Sequence, residues 1–317
     1  MSVIAIKELT KDFKVGFWKK HSVPALDKLN LAVEKGEVFG FLGPNGAGKT
    51  TTIKILMNLL RPTSGSALIL GEPTDSVQMR RRIGYLPENP YFYDYLTAEE
   101  LLTYAGRLFG LSRLEVGKRV NTLLESVGLE QSRKLQLRKF SKGMIQRIGI
   151  AQAIINDPEV VFLDEPMSGL DPLGRREVRQ VIAGLKLQGV TVFFSSHILP
   201  DVEALCDRVA IVNRGRIQAA GALHEILKVK IQGHEIILSG AGPAAASELG
   251  KMSDQIAALG DRLYLRVATQ SQVSAILQQA QVQGVELISV NPIRPSLEDF
   301  FFQEVTGQPV PRGPGED

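Results

Sequence analysis

The most constraining feature of the chain is a glycine-rich stretch that lies between a strand pattern and a helix pattern. Residues 43–51 fit the phosphate-loop pattern G-x-x-x-x-G-K-[ST]. The apolar residues Val38–Leu42 before it predict a short buried strand, and Ile53, Leu56 and Leu60 follow it at helical spacing. Strand, loop and helix come in the order in which this pattern binds phosphate, which argues against a chance glycine-rich turn.

The residue types in this loop suit a polyphosphate. Glycine allows the tight turn and lets backbone N–H groups approach phosphate oxygens, while the positive end of the next helix points to the same place. We expect Lys49 to reach the β- and γ-phosphates and the Thr50 hydroxyl to ligate Mg²⁺. The predicted nucleotide contacts are Gly43, Pro44, Asn45, Gly46, Ala47, Gly48, Lys49, Thr50 and Thr51.

A second apolar run, Val160–Leu163, is followed by two carboxylates. A continuous apolar run predicts a strand buried on both faces of a parallel sheet, where ligand-binding residues lie at the carboxyl ends of the strands. We expect Asp164 to help hold Mg²⁺ opposite Thr50, and Glu165 to position or deprotonate the attacking water. The alternative is that one or both carboxylates cap the next helix, but two of them after such a strand favour an NTP hydrolase.

A basic segment with interleaved aromatic residues, residues 11–21, allows three interpretations. It could be a solvated loop, a nucleic-acid patch or an aromatic platform for a purine. The phosphate loop favours the platform, because an aromatic face stacks on any base. A net charge of +3 is too small to argue for nucleic acid as a partner.

The bulk properties bound the class of protein. A length of 317 residues suggests two domains, or one large domain with an appendage. The sequence contains no apolar run of about 18 residues, the length that would predict a membrane span. The single cysteine, Cys206, excludes an internal disulfide and fits a reducing compartment. We therefore predict a cytoplasmic protein.

Six motifs in chain order resemble those of the nucleotide-binding subunit of an ATP-binding cassette (ABC) transporter. The resemblance covers about residues 3–221. The signature motif discriminates best, because other phosphate-loop NTPases lack it. The matching positions are the Walker A loop (43–51), the Q-loop position (Glu88), the signature motif (140–144), the Walker B strand with its glutamate (160–165), the D-loop (168–171) and the switch histidine (His197).

The resemblance implies an α/β fold. It is a phosphate-loop NTPase cassette with a parallel core sheet, an antiparallel β subdomain and a helical subdomain, followed by a small C-terminal α+β domain. We expect the cassette over 1–228, with its helical subdomain over about 89–158, and the accessory domain over 229–306. The proline-containing tail, 307–317, is expected to be disordered.

The resemblance also implies a mechanism in which two cassettes face each other head to tail and bury two ATP molecules. Each ATP would lie on the Walker A loop of one copy and be closed by Ser141 and Gly143 of the other. His197 would contact the γ-phosphate, and Asp171 would link the two sites. Phe13 is the first choice for the adenine platform; the alternatives are Phe17 and Trp18.

The sequence departs from the commonest family pattern at three positions. Glu88 replaces a glutamine, as in the exporter branch, and adds a carboxylate facing Mg²⁺ or the lytic water. Lys142 and Met144 replace a glycine and a glutamine of the signature motif, while Ser141 and Gly143 remain.

The function implied is an ATPase subunit, with ATP and Mg²⁺ as cofactors, that drives export of a lipid, drug or polysaccharide. Its partners would be a second copy or a paralogous cassette, and a separate transmembrane subunit at the cytoplasmic face of the membrane. A cassette ATPase acting on ribosomes or DNA is the main alternative. Such proteins usually carry two cassettes or a long coiled-coil insertion, and this chain has one cassette and no sustained heptads. A kinase or GTPase would lack the signature motif.

Overall fold

The computed structural model describes residues 2–16, 21–226, 233–293 and 297–306. The chain forms two compact units, one with the residues up to Leu223 and one with the residues from His224 to Gln303. Residues 227–232, where the sequence places the domain boundary, lie outside the described residues, as do 307–317. The boundary at 228/229 and the disordered tail therefore stay predictions.

The strands alternate with helices along most of the chain. In order, they are β1 (Ser2–Val15), β2 (His21–Glu34), β3 (Val38–Leu42), β4 (Ser64–Ile69), β5 (Glu72–Pro73), β6 (Ile83–Leu86), β7 (Val160–Leu163), β8 (Thr191–Ser196), β9 (Arg208–Asn213), β10 (Arg216–Ala222), β11 (Gly233–Ser239), β12 (Gln255–Leu259), β13 (Arg262–Val267) and β14 (Glu286–Ile293).

The helices of the first unit are α1 (Lys49–Leu56), α2 (Val77–Arg80), α3 (Ala98–Leu108), α4 (Arg113–Ser126), α5 (Lys142–Ala153), α6 (Pro172–Leu187) and α7 (Leu199–Leu205). Further along the chain are α8 (Leu223–Ile226), α9 (Pro243–Lys251), α10 (Gln270–Val282) and α11 (Leu297–Thr306).

The central sheet positions the site. Its strand order is β10-β9-β3-β8-β7-β6, and all its neighbouring strands run parallel except β10, which pairs antiparallel with β9. Every residue of β3, β7 and β8 is buried, as the continuous apolar runs of β3 and β7 predict; in β8 the apolar run is 192–194. Because β8 lies between β3 and β7, the segments that follow these three strands meet at one edge of the sheet.

A smaller antiparallel sheet, with the order β2-β1-β4-β5, supplies the β subdomain of the first unit. The sequence predicts that its first strand ends near Thr10, but β1 continues to Val15. The reason is a long hairpin, in which Phe13 pairs with Val23 and Val15 with His21. Part of the basic segment, residues 11–15, is therefore strand.

The helical part of the first unit consists mainly of α3, α4 and α5, in agreement with the helical periodicity between β6 and β7. Two of these helices begin at complete capping boxes. Thr97 caps α3 with Glu100, and Ser112 caps α4 with Glu115. Each box satisfies backbone N–H groups that the first turn of a helix cannot pair by itself.

The second unit is an α+β unit with the sheet order β12-β13-β11-β14. Its core is formed by alternate residues of β11 and β13 packed with α9 and α10, including Ile236, Leu265 and Ile276. The small-residue segment at Gly240–Ala246 is predicted as a loop, but Pro243 begins α9. Proline suits the first position of a helix and the alanines that follow it favour one.

Candidate functional site

The phosphate loop joins the buried end of β3 to the start of α1. Gly46 and Gly48 have φ angles of 80° and 108°, in the left-handed region that favours glycine. A Cβ atom on Gly48 would lie 2.8 Å from the Ala25 carbonyl oxygen, and one on Gly43 would lie 2.4 Å from the Val212 carbonyl oxygen. The loop conformation therefore requires glycine at these positions, by backbone angle at Gly46 and also by space at Gly48.

A cleft of about 450 Å³ opens above this loop. It brings together residues from the phosphate loop, from the segment after β6 and from the ends of β7 and β8. Eleven of its lining residues are predicted site residues: Pro44, Asn45, Gly46, Ala47, Gly48, Lys49, Thr50, Thr51, Glu88, Glu165 and His197. The other two are Ala25 and Ser168.

Lys49 is the buried cation of the cleft, with 6% of the residue exposed. Its Nζ donates hydrogen bonds to the carbonyl oxygens of Gly43, at 2.7 Å, and Pro44, at 3.3 Å. The same atom lies 3.1 Å from Glu165 Oε1. Three oxygen atoms of the chain therefore surround the ammonium group that the sequence assigns to phosphate binding.

Asp164 is 1% exposed and lies directly after β7. Its Oδ1 accepts a hydrogen bond from Ser195 Oγ at 2.6 Å and one from Thr50 Oγ1 at 3.3 Å. Its Oδ2 is buried and has no hydrogen-bond partner among the described residues. Burial raises the pKa of this carboxyl group, while the hydrogen bonds from Ser195 and Thr50 oppose the rise.

Glu165, the next residue, has a φ angle of 50°, which is uncommon for a residue with a side chain. Its backbone N–H donates to Ser195 Oγ at 2.9 Å, and its Oε2 lies 2.8 Å from His197 Nδ1. Its Oε1 accepts no hydrogen bond of good geometry, although Lys49 Nζ lies close to it. The predicted base therefore contacts both the predicted phosphate lysine and the predicted switch histidine.

The predicted magnesium ligands can be tested against these contacts. Among the described residues there is no cluster of three His, Cys, Asp or Glu side chains that could hold an ion alone. The cleft nevertheless offers oxygen atoms, the ligands that Mg²⁺ prefers. The Thr50 hydroxyl lies beside Asp164, Asp164 Oδ2 is buried and unpaired, and Glu88 lines the cleft. This set fits an ion that takes its remaining ligands from phosphate oxygens and water.

Three other predicted residues lie away from this cleft. Ser141 caps α5 and accepts a hydrogen bond from Met144 N at 3.2 Å, and Asp171 caps α6 and accepts one from Gly174 N at 2.9 Å. Ser141 and Asp171 are exposed. A Cβ atom on Gly143 would lie 3.8 Å from Gly174 Cα, so the starts of the two helices are adjacent. We call this surface, made of Ser141, Gly143 and Asp171, the signature face.

Phe13, the first choice for the adenine platform, lies on β1 and is 38% exposed. Lys11 Nζ lies 5.2 Å from the centre of its ring. Phe13 is not among the residues that line the phosphate cleft, so its contact with adenine stays a prediction. The alternatives, Phe17 and Trp18, lie outside the described residues.

Sequence reasoning missed Ser195, which contacts the Asp164 carboxylate and the Glu165 backbone N–H, and Ala25, which lines the cleft. It placed Ser168 in the D-loop without assigning it to the cleft, which Ser168 also lines. A signal for Ser195 exists, because it ends the apolar run of β8 two residues before His197. Ala25 gives no such signal, since it reaches the cleft from β2 of the other sheet.

Comparison with known proteins gives consistent results. The family model described as ABC transporter matches residues 26–168. An uncharacterized ABC transporter ATP-binding protein of Synechocystis sp. is 48% identical over 96% of this chain and 85% of its own length. The bacitracin transport ATP-binding protein BcrA of Bacillus licheniformis is 34% identical over 96% and 98%. The Nod factor export ATP-binding protein I of Cupriavidus metallidurans is 36% identical over 77% and 79%.

Solved structures resemble the chain as well. The dimeric post-hydrolysis structure of the ATP-binding cassette MJ0796, bound to ADP and Pi, superposes with a TM-score of 0.63 and 26% identity. The match covers 69% of this chain and 98% of the cassette. None of the described helices combines the length and the apolar composition that crossing a bilayer requires.

Proposed function

Because the chain belongs to the ATP-binding subunits of ABC transporters and these subunits hydrolyse ATP, we propose that it drives export of a lipid, drug or polysaccharide through a separate transmembrane subunit. The observation that carries the ATPase part of this proposal is the cleft itself, in which Lys49, Asp164, Glu165 and His197 converge on the phosphate loop. Similarity to a Nod factor export protein and to a bacitracin transport protein supports the direction and the class of cargo.

In this proposal the phosphate loop holds the triphosphate of ATP by its backbone N–H groups and by Lys49. The phosphates compete with Glu165 for the Lys49 ammonium, because the two groups are only 3.1 Å apart before any phosphate approaches. Glu165 is then free to accept a proton from water. The water oxygen bonds to the γ-phosphorus as the bond to the bridging oxygen breaks, which gives ADP and phosphate.

His197 has two tasks in this arrangement. Its Nδ1 lies 2.8 Å from Glu165 Oε2, and an ionised Glu165 accepts a hydrogen bond from it. The ring thereby fixes the orientation of the carboxylate. Its other nitrogen, Nε2, is left for the γ-phosphate, and the side chain is 41% exposed, so a phosphate in the cleft can reach it.

Thr50, Asp164 and Glu88, which also lines the cleft, are the residues we assign to Mg²⁺. When bound, the ion would neutralise negative charge on the phosphates. The chain's own contribution is to keep Asp164 Oδ2 free of other partners, since Oδ1 takes the hydrogen bonds from Thr50 and Ser195.

The partner arrangement follows from the signature face. Ser141, Gly143 and Asp171 lie at the starts of α5 and α6, where the first N–H groups of a helix have no partner within the helix and attract anions. Since these residues do not line the cleft of their own chain, we assign them to the ATP held by a second cassette. A head-to-tail dimer brings each signature face against the cleft of its partner.

The transmembrane subunit would dock on the exposed aromatic segment that follows Glu88. Tyr91, Tyr93 and Tyr95 are 93%, 52% and 60% exposed. The ring of Tyr93 lies 5.8 Å from that of Tyr95, and 6.4 Å from that of Tyr104 on α3. Exposed clusters of tyrosine are typical of protein interfaces. Docking there would place the chain at the cytoplasmic face of the membrane.

Transport in a defined orientation tests the export proposal. The membrane protein that co-purifies with the chain would be reconstituted with it in vesicles whose cytoplasmic face points outward. Export predicts that ATP added outside drives cargo into the vesicle lumen, and that Glu165→Gln abolishes this accumulation. Movement of cargo from the lumen to the outside would instead establish import.

A further inference from the structure

The buried hydroxyl group of Ser195 contacts both carboxylate residues of the cleft. Ser195 is 0% exposed and lies on β8, between β3 and β7. In the register of β7 with β8, Leu163 is opposite Phe194, so the next residues, Asp164 and Ser195, lie side by side. The sheet itself therefore places this hydroxyl beside the first carboxylate.

The hydroxyl uses its donor and its acceptor on different residues. It donates to Asp164 Oδ1 at 2.6 Å and accepts from the Glu165 backbone N–H at 2.9 Å. Thr50 also donates to Oδ1, so the two hydrogen bonds hold the Asp164 carboxylate in one orientation. In this orientation Oδ2 has no hydrogen-bond partner among the described residues. Rotation of the carboxylate away from this orientation would break the shorter hydrogen bond.

The contact with Glu165 has a separate consequence. Glu165 has a φ angle of 50°, a conformation that is unfavourable for a residue with a side chain. The hydrogen bond from its N–H to Ser195 helps to hold this turn, which directs the side chain toward Lys49 and His197. Without that partner, the buried N–H group would be left unpaired.

We propose that Ser195 is a positioning residue for the ATPase reaction. Its hydroxyl determines which oxygen Asp164 presents to the metal–phosphate group, and it holds the backbone turn that orients Glu165. The inference rests on the proposed magnesium role of Asp164. Ser195 itself touches neither nucleotide nor metal in this proposal. Groups that orient a ligand residue in this way typically change metal affinity or activity by about 10- to 100-fold when they are removed.

The variant that tests this role is Ser195→Ala, with Ser195→Thr as the conservative replacement that keeps the hydroxyl. The matched control is Thr191→Val. Thr191 is on the same strand and 0% exposed, and its hydroxyl also accepts a hydrogen bond from a backbone N–H, that of Gly36, at 2.9 Å. It lies at the opposite end of β8 from the cleft, so Thr191→Val removes a similar buried hydrogen bond elsewhere.

The readout is the affinity for ATP with and without Mg²⁺, measured by calorimetry on the full chain, together with kcat and KM for hydrolysis. We expect the Mg²⁺-dependent gain in ATP affinity to fall about tenfold in Ser195→Ala, with affinity in the absence of Mg²⁺ within twofold of wild type. We also expect kcat to fall more than KM rises, recovery in Ser195→Thr, and wild-type values for both readouts in Thr191→Val.

Equal Mg²⁺-dependent gains and equal kcat values in Ser195→Ala and Thr191→Val would overturn the inference and leave Ser195 as a structural residue. A wild-type protein whose ATP affinity does not depend on Mg²⁺ would overturn the metal assignment and the inference with it. The wild-type measurement alone therefore separates a failure of the proposed function from a failure of the role of Ser195. Unfolding midpoints of the variants distinguish a folding defect from either result.

Discussion

The cleft and the signature face of the same unit differ in how their functional groups are satisfied. Lys49, Asp164 and Glu165 are buried and contact one another or their immediate neighbours within the chain. Ser141 and Asp171 are exposed, and among the described residues each accepts a hydrogen bond from its own helix alone. The cleft is thus assembled by the fold of one chain, whereas in our proposal the signature face meets a ligand held by a second cassette.

The largest expected effect is on the buried side of this comparison. Glu165→Gln keeps the size of the side chain and removes its capacity to accept a proton. We expect kcat for ATP hydrolysis to fall by about 10²- to 10⁴-fold, the usual contribution of a general base. ATP should still bind, and a dimer should accumulate. Phosphate release and gel filtration with ATP measure both effects, and a purely monomeric variant beside an active wild type would contradict the shared site.

The second-largest effect is expected at Gly143, on the exposed signature face. Gly143→Val should fold normally, because the nearest atoms to a Cβ at this position are 3.8 and 4.0 Å away within the chain. Its ATP affinity should stay within about twofold of wild type, whereas hydrolysis should fall by about tenfold or more, because the side chain would stand between the helix N–H groups and the partner's phosphate.

Mixing two inactive variants sharpens this test. A dimer of Lys49→Ala with Gly143→Val contains one composite site in which the phosphate loop and the signature face are both intact. Hydrolysis should therefore recover when the two proteins are combined, but not when either is assayed alone. No recovery, although mixed dimers form, would place both residues in one site of a single chain.

The effect expected of Lys49→Ala on ATP affinity is smaller than the effect expected of Glu165→Gln on kcat. Hydrogen bonds to charged groups contribute about 1.5–3 kcal/mol, so ATP affinity should weaken by about 10- to 100-fold. Isothermal calorimetry measures the change. An unchanged affinity would mean that Glu165, and not phosphate, is the main partner of this lysine. Lys54→Ala, on the exposed side of the same helix, is the matched control.

The smallest effect concerns a buried carboxylate outside the cleft. Asp201 is 1% exposed, and burial raises its pKa although Arg179 lies 3.0 Å away. A carboxyl group whose pKa is higher in the folded state than in the unfolded state binds its proton more tightly when folded. Its contribution to stability should therefore increase as pH falls from neutrality toward about pH 4, the usual Asp range.

Urea unfolding of wild type and Asp201→Asn at pH 7 and pH 5 isolates this contribution. The stability of wild type relative to the variant should be greater at pH 5 than at pH 7, because the asparagine does not titrate. A difference that is the same at both pH values, or that reverses, would show that the Arg179 ion pair and not burial controls this group.

The parts of the fold that depend on local pattern could be predicted from the sequence. The phosphate loop, the apolar strands β3, β7 and β8, and the helices between β6 and β7 each show a pattern over a few consecutive residues. The length of β1 and the start of α9 could not be read in this way. β1 extends past Thr10 because the start of β2 pairs with it in a hairpin, which the polar residues of this segment do not indicate, and the segment before α9 has the small residues typical of a loop.

The candidate site shows the same limit. Asp164, Glu165 and His197 are recognisable because each follows an apolar run. Their contacts are not, because it is the strand order β3-β8-β7 that brings Ser195 beside Asp164. The contact between Lys49 and Glu165 likewise joins residues far apart in sequence. Motif spacing predicts the candidate side chains, and topology decides which of them touch.

The contact between Lys49 and Glu165 has a consequence for the order of events in the proposed ATPase reaction. In the proposed reaction, Glu165 Oε1 lies 3.1 Å from the Lys49 ammonium until nucleotide binds. An incoming triphosphate would end this contact by binding the Lys49 ammonium in place of Glu165. Binding of ATP and release of the proposed catalytic base, Glu165, would therefore be a single event.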